Sequence, residues 1–146
     1  PPRSTLFPYT TLFRSSLTRL QKLFQTMNDK KKLGNKGEEL ALVHLLSKGY
    51  EILEVNWKSG HLEVDIIARD ADRLVFVEVK SRTSAVFGEP VEFVKPTQQN
   101  RIFRAANLYY EQKASELEAR FDIIGLLFMP EGFEIVHLED AFYPIA

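Results

Sequence analysis

The segment Leu74 to Ser81, which begins LVFVEVK, constrains the fold more than any other part of the chain. Apolar residues occupy both sides of its alternating pattern, whereas a strand with one solvated face would alternate apolar and polar residues. The segment is therefore predicted to be a central strand that is covered on both faces. The same alternation places Glu78 and Lys80 on one face, together with Phe76.

A second strand-like segment, Leu62 to Ala68, comes before it and ends in a polar turn at Arg69 to Arg73. In an antiparallel hairpin of this kind Asp65 lies opposite Glu78 or one pair away, and opposed Cβ atoms are roughly 4.5 to 5.5 Å apart. Opposed carboxylates destabilise a sheet unless a cation neutralises them, and hard oxygen ligands favour Mg²⁺ or Mn²⁺. The alternative is a structural pair between Glu78 and Lys80 on a half-exposed face.

The run Gly37 to Lys48 is predicted to be a helix that ends at Gly49. Four residues form its apolar face: Ala41, Leu42, Leu45 and Leu46. Glu38 falls near the middle of that face. It either turns toward the core side or extends to solvent at the start of the helix, where the helix dipole also favours an acid.

The remaining segments complete a single α/β domain. We predict a strand at Tyr50 to Val55, a long helix at Thr97 to Ala119, and two strands at Phe121 to Phe128 and Phe133 to Leu138. A helix, a strand meander, a second helix and two further strands, in that order, predict a mixed sheet with helices packed on it.

Residues 1–26 differ from the rest because they contain four basic residues and no acidic ones. Thr5 to Ser15, TLFPYTTLFRS, reads like the in-frame translation of a widely used sequencing adaptor. An organellar transit peptide would also be basic and free of acids, but it would not explain that match. We therefore expect a non-native leader over residues 1–26, with Ser16 to Thr26 as read-through, and a domain over 27–146 that starts at Met27.

Composition narrows the chemistry further. The chain has no cysteine, so a metal would need oxygen or imidazole ligands. The absence of cysteine also suits a cytoplasmic protein. No stretch approaches the roughly 20 apolar residues of a membrane span, so the chain is interpreted as soluble. Because the leader holds four of the 19 basic residues and none of the 20 acids, residues 27–146 carry a formal net charge of −5. Any nucleic-acid contact must therefore come from a local basic patch.

Short motifs occur along the chain in the order typical of one bacterial family. They are GNKGEELA (34–41), Gly49-Tyr50, Asn56-Trp57, LEVDIIA (62–68), VFVEVKSR (75–82), FGEP (87–90), Arg101-Ile102 and RFD (120–122). Together they resemble the YraN-like family of predicted endonucleases, which is distantly similar to archaeal Holliday-junction resolvases. The resemblance spans nearly all of residues 28–146. It implies a restriction-endonuclease-like α/β fold, in which helices flank a mixed sheet in three layers, with a PD-(D/E)xK nuclease site.

By position, the family's helix acid falls on Glu38, its strand acids fall on Glu63 and Asp65, and its catalytic pair falls on Glu78 and Lys80. On this hypothesis Asp65, Glu78 and the Val79 carbonyl hold Mg²⁺ or Mn²⁺, and Glu38 binds a second ion or a water molecule beside the first. Lys80 orients the attacking water or stabilises its charge. Glu63 supports the site without contacting the metal.

One departure concerns the expected contacts with DNA. The family commonly has Lys then Gln ahead of Arg-Ile, whereas this chain has Gln98-Gln99, so a phosphate contact is lost unless Lys95 replaces it. The candidate nucleic-acid contacts are four basic residues: Arg82, Lys95, Arg101 and Arg104. The expected substrate is DNA, branched forms included, and a homodimer would suit a two-fold junction.

Two other functions stay open. The acidic net charge and Gln98 also fit a non-catalytic nucleic-acid-binding module that retains the nuclease fold. An adaptor domain for protein partners is supported only by the general rule that a fold does not fix a function. The other polar and aromatic candidates are interpreted as packing or surface residues: His44, His61, His137, Tyr109, Tyr110 and Asp122, the last as a structural acid.

Overall fold

A computed structural model of the chain describes residues 36–83 and 94–144. The expectations for the leader at 1–26 and for the FGEP motif at 87–90 lie outside the described residues. The elements are α1 (Lys36–Ser47), β1 (Glu51–Ser59), β2 (Leu62–Asp70), β3 (Arg73–Thr83), α2 (Pro96–Lys113), β4 (Glu118–Met129) and β5 (Gly132–Leu138).

The five strands form one mixed sheet in the order β1-β2-β3-β4-β5. β3 pairs antiparallel with β2 and parallel with β4, and α2 lies in the long crossover that parallel neighbours require. The sheet buries β3 from Leu74 to Glu78. The central position predicted from its apolar pattern is therefore confirmed.

An aromatic cluster packs between the sheet and α2. Phe76 of β3 pairs with Phe121 of β4, and their rings stack with centroids 5.5 Å apart. Tyr109 of α2 meets the ring of Phe76 edge-on at 5.9 Å. Offset and edge-on pairs of this kind contribute about 0.5–1.5 kcal/mol each beyond the area that they bury. They anchor α2 beside the central strand.

The opposite face of the sheet is covered by α1. Ile123 of β4 packs in the cluster with α2. Because side chains alternate along a strand, Ile124 points to the other face of the sheet. His137 of β5 is paired with Ile124 and lies on that same face. There His137 contacts His44 of α1. One helix on each face of a mixed sheet gives the predicted three-layer α/β architecture, compatible with a restriction-endonuclease-like fold.

The predicted end of the second helix is wrong. α2 ends at Lys113, because Ala114 adopts a left-handed conformation (φ 51°, ψ 41°) and its N–H binds the carbonyl of Tyr110. Residues 118 and 119, predicted to be helical, instead begin β4, where they pair with the start of β3. Parallel pairing with a central strand outweighs the helix propensity of these residues.

The first strand also differs from its prediction, since it continues to Ser59 rather than ending at Val55. Its register shifts between Ile52 and Glu54, and Asn56 takes a positive φ of 53°. Asn tolerates that region better than most residues. No helix among residues 36–83 and 94–144 is long and apolar enough to cross a membrane.

Candidate active site

The candidate site lies where β2 and β3 part. Their hairpin closes on a two-residue turn, shorter than the polar turn that the sequence indicated, and the ladder runs from Asp70–Arg73 to Ile66–Val77. Asp65 and Glu78 are the next positions in the same register. Asp65 Oδ2 accepts a hydrogen bond from the Val79 backbone N–H at 2.8 Å. A side-chain carboxylate thus binds a strand N–H where the backbone pairing stops.

Glu78 is held from two directions. Its side chain is only about 10% exposed, and its Oε2 atom accepts a hydrogen bond of 2.5 Å from Gln98 Nε2 of α2. Lys80 Nζ lies 3.7 Å from the same oxygen, and the Lys80 side chain is 21% exposed. The predicted Glu-x-Lys pair therefore exists as a loose ion pair that solvent can reach.

The helix acid also points to this region. Glu38 lies in the first turn of α1 and is buried, and its Oε1 atom accepts a hydrogen bond of 3.2 Å from Asn56 Nδ2 of β1. The structure therefore favours a Glu38 side chain that turns toward the core side over one that extends to solvent. Glu63 remains exposed on β2.

The carboxylates raise one another's proton affinity. Burial raises the pKa of Asp65 well above its usual value, and the charges of Glu78, Glu38 and Glu63 raise it further, against the lowering effect of the Val79 N–H. Burial also raises the pKa of Glu78, as do Glu63 and Glu38, while Lys80 lowers it. The negative charge is thus only partly compensated by the protein itself.

The oxygen donors of this region determine whether it can hold a divalent cation. Nowhere in the described ranges do three carboxylate or imidazole groups converge as a ready-made metal site. However, Asp65 Oδ1 and Glu78 Oε1 accept no hydrogen bond from any described residue. Two neighbouring carboxylates with open oxygens fit Mg²⁺, which is often bound by one or two carboxylates and completed by water and phosphate. Glu38 does not complete a triad of direct ligands.

The basic candidates lie on β3 and at or just before α2. Arg82 near the end of β3 donates to the Ser81 carbonyl at 2.8 Å. Lys95 precedes α2, and Arg101 and Arg104 lie exposed on that helix. Arg101 follows Gln98 by three residues, so it shares the helix side that reaches Glu78.

A second polar cluster lies on the α1 face of the sheet. Asp122 is fully buried and receives two hydrogen bonds of 2.9 Å from Arg120 and one of 2.8 Å from His137 Nε2. His137 Nδ1 lies 3.1 Å from His44 Nε2, and Tyr50 binds Arg120 at 2.6 Å. Burial alone would raise the pKa of Asp122, but these hydrogen bonds lower it. The structural role predicted for Asp122 agrees with this environment.

Sequence reasoning missed the partners in both clusters. In the sequence Asn56 is only a motif position and Gln98 only a departure from the family's lysine, although each binds a site carboxylate. His44 and His137 are 93 residues apart, and no local pattern connects them. The Asn56-Trp57 motif was the available signal for Asn56, because a polar residue inside a strand needs a partner when it is buried.

The sheet with a helix on each face, and the carboxylate pair where two of its strands part, define an α/β protein compatible with the restriction-endonuclease-like class. The chain belongs to the uncharacterised protein family UPF0102, which matches residues 37–126. The YraN-like resemblance is thereby confirmed as a family relationship.

Three bacterial relatives illustrate the match. The UPF0102 protein of Christiangramia forsetii is 44% identical over 117 residues, which cover 80% of this chain and 98% of that protein. A relative from Flavobacterium psychrophilum is 47% identical over 111 residues, or 76% and 93% of the two chains. One from Dictyoglomus turgidum is 43% identical over 114 residues, or 77% and 95%. The chain therefore spans nearly the full length of these relatives.

Proposed function

We propose that this protein is a metal-dependent endonuclease that hydrolyses phosphodiester bonds of DNA, branched DNA included. The observation that carries the proposal is the adjacent pair of Asp65 and Glu78, each with one oxygen that accepts no hydrogen bond from the described residues. Lys80 lies beside them on β3. Two carboxylates that can hold a divalent cation, with an ammonium group next to them, suit phosphodiester hydrolysis.

Asp65 and Glu78 would bind Mg²⁺ or Mn²⁺ together with the carbonyl of Val79, whose N–H already binds Asp65. With only these protein ligands, the ion keeps coordination positions for water and for phosphate oxygens. When bound, the ion supplies Lewis acidity toward water and the scissile phosphate. Glu38, which Asn56 holds in place, would approach from α1 and bind a second ion or a water molecule of the first.

Lys80 would orient the attacking water and stabilise negative charge on the phosphate. Its partial exposure leaves the ammonium accessible to a substrate. Glu63 would add negative charge beside the site from its exposed position without touching the metal.

DNA would be held by the local basic residues rather than by the net charge of the domain, which is acidic. The residues proposed for phosphate contacts are Arg82, Lys95, Arg101 and Arg104. The proposal includes a cytoplasmic location. It also includes a symmetric homodimer, because a two-fold junction suits a two-fold enzyme.

The test is a nuclease assay of the full chain over branched and linear DNA substrates, with Mg²⁺, Mn²⁺ or a chelator. Cleavage that requires the metal and disappears in the Glu78→Gln variant would support the proposal. Absence of cleavage under every metal condition, with a correctly folded protein, would contradict it. Light scattering of the same sample would report the oligomeric state.

A non-catalytic nucleic-acid-binding module is the second candidate. One observation favours it: the neutral amide of Gln98 lies closer to Glu78 Oε2, at 2.5 Å, than the ammonium group of Lys80 does, at 3.7 Å. Filter binding separates the two functions. DNA binding without turnover would identify the module, whereas metal-dependent cleavage would identify the enzyme.

A further inference from the structure

The first turn of α2 places a neutral amide against one carboxylate of the pair. Lys95 occupies the N-cap position, Pro96 is the first residue of the helix, and Gln98 follows two positions later. From there Gln98 Nε2 reaches Glu78 Oε2 at 2.5 Å, closer than Lys80 Nζ at 3.7 Å. Gln98 is therefore the nearest donor to that oxygen among residues 36–83 and 94–144.

Its neighbour in sequence behaves differently. Gln99 Nε2 donates to the carbonyl of Val94 at 3.0 Å, within the segment that leads into the helix. Two adjacent glutamines in the same turn thus have separate tasks. Gln99 closes the start of α2, whereas Gln98 extends across to β3.

The contact with Gln98 orients Glu78. A carboxylate has two oxygens, and Gln98 and Lys80 both occupy the side of Oε2, so Oε1 is left without a hydrogen bond from the described residues. Without Gln98 the carboxylate could turn and close the 3.7 Å gap to Lys80, which would place its charge in an ion pair.

We infer that Gln98 is a positioning residue of the candidate metal site: it fixes Glu78 so that one carboxylate oxygen faces a divalent cation. This inference rests on the proposed function, because it assumes that a cation binds at Asp65 and Glu78. Partners that orient metal-binding carboxylates typically change metal affinity by 10- to 100-fold when they are substituted.

The experiment measures Mn²⁺ affinity of the full chain, from the loss of the free-ion signal in electron paramagnetic resonance and by calorimetry. Gln98→Met keeps the length of the side chain and removes the donor, so Mn²⁺ should bind about 10- to 100-fold more weakly. Gln99→Met is the matched control and should bind Mn²⁺ with the parent's affinity.

The outcomes separate this inference from the proposed function. If Gln98→Met binds Mn²⁺ as tightly as the parent, the positioning role is wrong and the nuclease proposal stands. A folded parent protein that binds no Mn²⁺ and cleaves no DNA would overturn both. Should Gln98→Met fail to fold, Gln98→Asn, whose amide ends one methylene short, provides the same comparison.

Discussion

At the scale of single residues, the candidate site is a place where the protein leaves negative charge uncompensated. The charges of Glu38 and Glu63 act on both Asp65 and Glu78, against one ammonium group from Lys80. Burial of acids without sufficient counter-charge costs folding energy. The arrangement is therefore expected to become more stable when a cation binds or when one of the charges is removed.

The Asp65→Asn variant tests this charge balance. Asparagine retains an oxygen that can accept the Val79 N–H but removes one of two neighbouring negative charges. With chelator present, stability should rise by up to about 1 kcal/mol, the range of like-charge pairs across a sheet, while the added stability that Mn²⁺ gives the parent should disappear. Thermal melts with chelator and with Mn²⁺ measure both. Glu111→Gln, on the exposed side of α2, is the control and should melt as the parent does. If Asp65→Asn loses stability both with chelator and with Mn²⁺, the role of Asp65 is structural.

The Lys80→Ala variant separates a catalytic lysine from a structural one. Gln98 still binds Glu78 in this variant, so the melting temperature should stay near that of the parent and Mn²⁺ affinity should not fall. Cleavage should drop by about 10²- to 10⁴-fold, the usual contribution of a group that positions or transfers protons. Lys58→Ala, an exposed change on β1, should have no effect. A stability loss of about 3–5 kcal/mol, as for a broken buried ion pair, would contradict the catalytic role.

At the scale of elements, the β2–β3 hairpin was predictable and the end of α2 was not. The period of two and the short turn were enough to place Asp65 beside Glu78, because both are local properties of the sequence. The segment from Ala114 to Glu118 contains neither Gly nor Pro. Its conformation is set by pairing of Glu118 with Arg73, a partner 45 positions away. Local propensity cannot report such a contact.

The contact between His44 of α1 and His137 of β5 predicts that folding stability depends on pH. Burial lowers the pKa of His44, and the nearby His137 and Lys48 lower it further, so the folded state disfavours the proton that the unfolded chain accepts at about pH 6.5. Stability should therefore be full above that pH and decline as the pH falls below it. Asp122, whose pKa is also lowered, adds a further loss only at more acidic pH.

Chemical denaturation of parent and His44→Gln at pH 7.5 and 5.5 measures this effect. Glutamine keeps an N–H for His137 and cannot be protonated, so the variant should lose less stability on acidification. Solvent screening limits the difference to less than about 1 kcal/mol, because His44 is partly exposed. His61→Gln, at an exposed position outside this contact, should behave as the parent does. Equal losses in parent and His44→Gln would show that another group titrates.

At the scale of the whole molecule, the layers followed from sequence but the links between them did not. The order of helices and strands predicts a mixed sheet between helices. The bond between His44 and His137 joins the first helix to the last strand, and Arg120 also binds Asp70 at 2.9 Å on the far hairpin. These contacts depend on how the finished layers meet, which is a property of the assembled fold.

Because residues 27–146 are acidic as a whole, DNA affinity should depend on a few basic residues near the site. Arg101→Ala combined with Arg104→Ala should weaken DNA binding and reduce the slope of log affinity against log salt by about 2, near one unit for each lost phosphate contact. Fluorescence anisotropy over a salt series measures the slope. Arg69→Ala, beside the closed end of the hairpin, is the control. An unchanged slope in the double variant would place the DNA elsewhere.

The two-residue turn at Ala71 and Asp72 sets the register between β2 and β3, and this register aligns Asp65 with Glu78. Surface turns ordinarily accept insertions at little thermodynamic cost. Here one added residue that entered the strands would shift β2 against β3 by a single position and turn Asp65 toward the other side of the sheet. The geometry of the carboxylates therefore depends on the length of an exposed turn at the opposite end of the hairpin.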